Sequence, residues 1–179
     1  MRPINRYLSN KIKAFDIKAT DDTIKKIVKD ELDRLGHNAD LNHIDVSQVT
    51  NMDSLFSTDY TDLGSECEDL NPDISMWDVS HVVDMRYMFF RCKNFNQDIS
   101  HWDVRNVENM WGMFCECENF NQDISNWDVS KVENMVAMFE NCENFNQDLS
   151  GWDVSNVDRH NFMFNNCPIK EEFKPKFKK

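Results

Sequence analysis

Residues 99–123 read ISHWDVRNVENMWGMFCECENFNQD, and residues 124–148 read ISNWDVSKVENMVAMFENCENFNQD. Both fit one pattern, I-x-x-W-x-V-x-x-V-x-x-M-x-x-M-F-x-x-C-x-x-F-N-Q-D. The same marks recur outside these two copies. Trp77, Trp102, Trp127 and Trp152 stand 25 residues apart, as do Cys67, Cys92, Cys117, Cys142 and Cys167. Met88-Phe89, Met113-Phe114, Met138-Phe139 and Met163-Phe164 keep that interval, and so do Phe95, Phe120 and Phe145. Four ladders with a single period make this an internally repeated chain.

A degraded copy starts at Ile44, where Ile44-Asp45-Val46-Ser47 replaces Trp-Asp-Val-Ser, and Val49, Met52, Leu55 and Phe56 hold the expected places. The step from Ile44 to Trp77 is 33 residues because a polar insert, approximately Ser57 to Gly64, precedes Cys67. Insertions in repeat arrays loop out on one face, which makes this one a candidate functional loop.

Within a copy, Trp102 and Val104 alternate with His101, Asp103 and Arg105, the period-2 pattern of a short half-buried strand. From Val107 the apolar positions run Val107, Met110, Met113, Phe114 and Cys117, one stripe on about three helical turns. Ser130 with Glu133 forms a capping box, and Ser155 with Asp158 approximates one. Each unit therefore predicts strand, turn, short helix and return loop. A single unit cannot bury its own stripe, so units stack. The expected fold class is an α/β solenoid over residues 43–168 with about five coils. Its parallel strands line a concave face and its short helices a convex one. Residues 1–42 form an N-terminal helical cap: Thr23 or Asp22 starts a helix with Ile24, Ile27, Val28, Leu32 and Leu35, and Gly36 stops it. Residues 169–179 are a basic tail with Phe173 and Phe177, read either as disordered or as a small peptide that touches a partner or lipid.

The motif FNQDISxWDVSxVxNMxxMFxxC resembles the BspA-like leucine-rich-repeat surface-protein family, over roughly residues 43–168. The spacing I-x-x-W-x-V-x-x-V is also similar to the leucine-rich-repeat strand, with Val in the Asn place. This resemblance implies a leucine-rich-repeat solenoid used for adhesion or protein binding, with no catalytic residues.

The net charge is −12. Residues 43–168 hold 23 acidic against 6 basic side chains, and both ends are mildly basic. Phosphate binding wants a basic face, so no nucleic-acid partner is expected. An acidic middle fits a protein partner with a basic surface, or serves solubility alone. No apolar stretch near the start is long enough for a secretory signal, and none approaches a membrane span of roughly 20 residues. A cytoplasmic location is the expectation, with the cell surface as the family-based alternative.

Candidate contact residues lie along the expected concave face. Asp45, Asp78, Asp103, Asp128 and Asp153 form a column, read either as a basic-ligand or cation strip or as local bonds to Ser80, Ser130, Ser155 and backbone N–H groups. A second set, Asp73, Asp98, Asp123 and Asp148 with Asn71, Asn96, Asn121 and Asn146, sits where the return loop turns. The positions that vary are His43, Met76, His101, Asn126 and Gly151 before the Asp, with Ser47, Ser80, Arg105, Ser130 and Ser155 after it. They are the better candidates for specificity. His101 beside Asp103, or Asp78 beside Asp103, is the only enzyme-like hint. No nucleophile or phosphate loop accompanies either, so no catalytic residue and no cofactor is expected. The cysteine ladder, with Cys115 apart from it, is read as reduced and buried thiols. No spacing supplies a tetrahedral metal set. The leading expectation is a non-catalytic protein-binding scaffold; a self-associating or adhesive module is the alternative, and an enzyme of unknown class the second.

Overall fold

A computed structural model describes residues 17–57 and 64–178. Its elements are β1 (Ile17–Lys18), α1 (Ile24–Leu35), β2 (Ile44–Asp45) and two 3₁₀ turns, Gly64–Asp69 and Glu171–Phe173. β1 and β2 pair in parallel, with Ile17 opposite Ile44 and Lys18 opposite Asp45. Most of the candidate loop, residues 58–63, lies outside the described residues.

This inventory overturns the expected α/β leucine-rich-repeat solenoid. Among the described residues there is one helix and one two-stranded sheet, and no repeat contains a helix of its own. Trp-Asp-Val forms no strand in the full copies, because turns close on either side of it. The Trp102 N–H donates to Ile99 O at 3.1 Å, and the Val107 N–H to Val104 O at 2.9 Å. These bonds draw the segment out of ladder geometry. Adjacent repeats instead meet in isolated parallel bridges through Asn51, Asp84, Asn109, Asn134 and Arg159.

The expected helix is replaced by a run of turns. The N–H groups of Met85, Tyr87, Phe89 and Arg91 donate to the carbonyls of Asn109, Trp111, Met113 and Cys115, one repeat ahead, at 2.8–3.0 Å. Between them Met88, Phe90 and Cys92 donate three residues back, to Met85, Tyr87 and Phe89. Half of the donors thus close turns and half join repeats, whereas a helix would satisfy all of them internally. Two left-handed residues per repeat make this possible, Tyr87 and Arg91 in one copy and Gly112 and Glu116 in the next. A left-handed non-glycine residue costs roughly 1–2 kcal/mol, which the bonds between repeats offset. Ser130 caps nothing; its N–H goes to Asp128 Oδ1 at 3.1 Å.

Most of the residues predicted to be buried are buried; Val157, Phe164 and Cys167 of the last repeat and Ile27 of α1 are half-buried, and Leu35 is exposed. The Phe column Phe56, Phe89, Phe114, Phe139 and Phe164 is stacked with ring centroids 5.3–5.7 Å apart. A second column, Phe95, Phe120 and Phe145, packs against it at 3.9–4.3 Å. Buried indoles flank the first column, and Trp77, Trp127 and Trp152 donate to Leu41 O, Ile99 O and Ile124 O. Each buried Phe is worth about 1.5–3 kcal/mol. Two carboxylates about 5 Å apart in water repel by about 1 kcal/mol. Packing therefore fixes the register, and the acidic columns follow it.

The first repeat is closed by the residues before it. α1 buries Ile24, Val28 and Leu32 in the common core, and Gly36 at φ 89° ends it with its N–H on Leu32 O. Thr23 stands at the N-cap without a capping bond; its hydroxyl accepts the Thr20 N–H at 2.9 Å. At the other end the basic tail lies on the last repeat. Ile169 is buried, Phe173 and Phe177 pack against the core, and Phe173 O accepts the Leu149 N–H at 2.8 Å.

Candidate binding faces

Every repeat turns on Asx corners. Asp45, Asp78, Asp103, Asp128 and Asp153 each accept, on Oδ1, the N–H two residues on, from Ser47, Ser80, Arg105, Ser130 and Ser155, at 3.0–3.3 Å. Asp73, Asp98, Asp123 and Asp148 do the same for Ser75, Ser100, Ser125 and Ser150. The columns of acid are thus engaged in local turns, as the second reading of their spacing holds. Among the described residues no group of His, Cys, Asp and Glu could hold a metal ion. The Ser47 hydroxyl first, and its N–H second, hold the Asp45 carboxyl below its ordinary range; Ser130 does the same for Asp128 and Ser155 for Asp153.

The row before each Asp is mixed in its use. His43 is taken up locally, with Nε2 2.9 Å from Glu31 of α1 and Nδ1 3.2 Å from Asp40 O. Met76, His101, Asn126 and Gly151 are exposed and follow one another along the stack. His101 reaches Ser75 O with its ring, while Asp103 is held by Arg105 Nε at 2.7 Å. Each is engaged away from the other, so the acid–base pairing suggested by their nearness in sequence is not assembled.

A second face, missed by the strand-centred reading, carries Tyr87, Phe90 and Trp111, aromatic side chains at positions outside the repeat pattern. Tyr87 lies 5.5 Å from Phe90 and 5.0 Å from Trp111, ring centre to ring centre. The Arg91 guanidinium sits 4.7 Å from the Phe90 ring centre, and its Nε is 3.3 Å from Glu116. Trp111 is 38% exposed, whereas the four ladder tryptophans are 4–5% exposed. Gly112 makes the cluster possible: its φ is +60°, and a Cβ there would stand 2.5 Å from the Tyr87 ring. Cys115 adjoins in sequence, and burial first, then Glu116 and Glu140, push its thiol up to about 12. The signal in the sequence is the set of x positions in M-x-x-M-F-x-x-C. They read Arg86, Tyr87, Phe90 and Arg91 in one copy and Trp111, Gly112, Cys115 and Glu116 in the next.

No helix of the described residues is long and apolar enough to cross a membrane. A family model described as "Mycoplasma protein of unknown function, DUF285" matches residues 5–63 and 58–177. No curated protein and no solved structure matches the chain.

Proposed function

We propose that this chain, which belongs to the family of Mycoplasma proteins of unknown function, DUF285, is a non-catalytic scaffold that binds another protein through the exposed face around Tyr87, Phe90, Arg91 and Trp111. One observation carries the reading: Tyr87, Phe90, Arg91 and Trp111 cluster outside the buried Phe and Trp columns, and Trp111 is 38% exposed. Trp, Tyr and Arg dominate the energetically decisive residues of protein interfaces, because they bury much area at small entropic cost. A basic partner surface suits the acidic repeats around the cluster. The likeness of the repeat to BspA-like surface proteins supports the same reading, since adhesion and protein binding are what that resemblance implies. The exposed row Met76, His101 and Asn126 offers contacts on the other face.

The test is affinity capture from the native cell with the wild-type chain and a Tyr87→Ala/Trp111→Ala variant. Loss of a specific partner at unchanged melting temperature supports the reading. Retention of the same partners by the folded variant overturns it.

A further inference from the structure

The inter-repeat bonding has a direction, and the last repeat leaves it open. In each interior repeat the alternate N–H groups from the first Met onward donate forward. Met135, Ala137, Phe139 and Asn141, for example, donate to Arg159, Asn161, Met163 and Asn165 at 2.8–2.9 Å. The corresponding donors of the final repeat are His160, Phe162, Phe164 and Asn166. Among the described residues their N–H groups meet no acceptor, whereas the turns closed by Met163, Asn165 and Cys167 are formed as in the other copies. The edge is accessible: Phe162 is 68% exposed, Asn166 is exposed, and His160 and Phe164 are half-buried. The basic tail does not fill it. Phe177 stacks on the His160 ring at 3.9 Å, and Lys178 reaches Ser155 O. Lys174 stands 5.9 Å from the Phe164 ring centre.

Two candidate occupants fail on this geometry. A second copy meeting edge to edge would place donors against donors. A second copy offering its first repeat would have to bring up the carbonyls of Asn51, Asp53 and Leu55, and α1 closes that repeat with Ile24, Val28 and Leu32 buried in the common core. The remaining occupant is an extended segment that presents carbonyls at alternate residues, running parallel as the interior repeats do. Charge selects its character. The donor row is electropositive, and Arg159 and Lys174 border it. The acids on this side are Asp158 at the corner, Glu140, whose Oε1 accepts from Asn165 Nδ2 at 2.8 Å, and Glu171, paired with Lys174 Nζ at 2.7 Å. The positive balance comes from the tail, whose residues 169–179 hold five basic against two acidic side chains.

We propose that the edge from His160 to Asn166 docks an extended acidic segment of a partner polypeptide, which adds one further parallel strand-like run to the stack. This site is separate from the aromatic face, so either can fail without the other. The probe is a fluorescein-labelled peptide of eight residues alternating Glu and Val, with the Lys–Val peptide of equal length as comparison. Anisotropy on the full chain should give saturable binding of the acidic peptide, at least about tenfold tighter than the basic one. Amide hydrogen exchange at Phe162 and Phe164 should slow on saturation while exchange at Tyr87 and Trp111 stays unchanged. A Lys174→Glu variant, checked for an unchanged melting temperature, should weaken binding several-fold; if it fails to fold, Lys174→Gln and the exchange data carry the test. Absence of saturable binding, equal binding of both peptides, or protection at Tyr87 and Trp111 instead of the edge would overturn the proposal.

Discussion

The Cys117 thiol donates to the Phe89 carbonyl of the preceding repeat at 2.9 Å, and Cys142 repeats the contact with Phe114 at 2.9 Å. All six cysteines are unbridged thiols, and all but Cys167 are buried. Burial pushes the Cys92, Cys117 and Cys142 thiols well above their ordinary range. These thiols join repeats as hydrogen-bond donors and fill small gaps in the core; they are not poised for redox chemistry. A thiol count in denaturant should give six before any reduction. In the folded protein, alkylation at pH 8 should be slow at every ladder position. A count of four or fewer would mean a disulfide. Cys117→Ala should cost about 1–2 kcal/mol, measured by urea unfolding.

Asp21 stands in for a missing repeat. Its carboxylate accepts the N–H of Thr50 at 2.7 Å and of Asn51 at 3.1 Å, and the Thr50 hydroxyl at 2.7 Å. In the next repeats the equivalent donors, Asp84 and Asn109, turn to the carbonyls of Thr50 and Val83. Burial works most strongly against the Asp21 charge, yet the bonds from Thr50 and Asn51 outweigh it and the pKa is lowered. Asp21→Ala should destabilise the chain by about 1 kcal/mol, the loss typical of a carboxylate cap. Asp21→Asn, which keeps an acceptor, should cost less. Equal losses in thermal melts would argue against the cap.

Gly112 and Tyr87 should behave as a pair. Gly112→Ala places a methyl against the Tyr87 ring at a left-handed φ, for a cost of about 1–3 kcal/mol. Adding Tyr87→Ala should recover part of that loss, leaving only the backbone component. Strict additivity in a double-mutant cycle would show that the two residues do not touch.

Much of the core was legible and much of its geometry was not. The Trp, Val, Met, Phe and Cys positions of the pattern are buried as their recurrence indicates, except in the last copy, where Val157, Phe164 and Cys167 are half-buried. A spacing of three between apolar residues, however, is shared by a helix and by a chain of turns that returns every third residue. Side-chain pattern does not say where the N–H groups go. Of the left-handed positions, Tyr87, Arg91 and Glu116 carry no residue that favours such a backbone, and Gly112 alone in its copy does. Asp21 was invisible for another reason: its partners lie 29 and 30 residues away. The helix Ile24–Leu35 was readable because its stripe is local and Gly36 ends it. The aromatic face was readable only as variation at the x positions, since no single copy contains both Tyr87 and Trp111.

Acid should loosen the Asx corners. Asp45, Asp98, Asp123, Asp128, Asp148 and Asp153 all have lowered pKa values, the hydroxyl of the serine two residues on being the first cause and its N–H the second. A depressed native pKa contributes stability that is fully present above the unfolded value of about 3.9 and lost as pH falls through the lower native values. Melting temperature should therefore hold steady from pH 7 to about 5 and decline below about 4. A decline centred near pH 6 would contradict the carboxylate account.

The binding claim is tested most directly at Trp111, which alone among the five tryptophans lies outside the buried ladder. Fluorotryptophan-labelled protein should show five ¹⁹F resonances, with Trp111 assigned from a Trp111→Phe variant. On addition of the captured partner, the account predicts that the Trp111 signal shifts or broadens while the four ladder signals stay in place. A bound complex in which Trp111 is unmoved would contradict it.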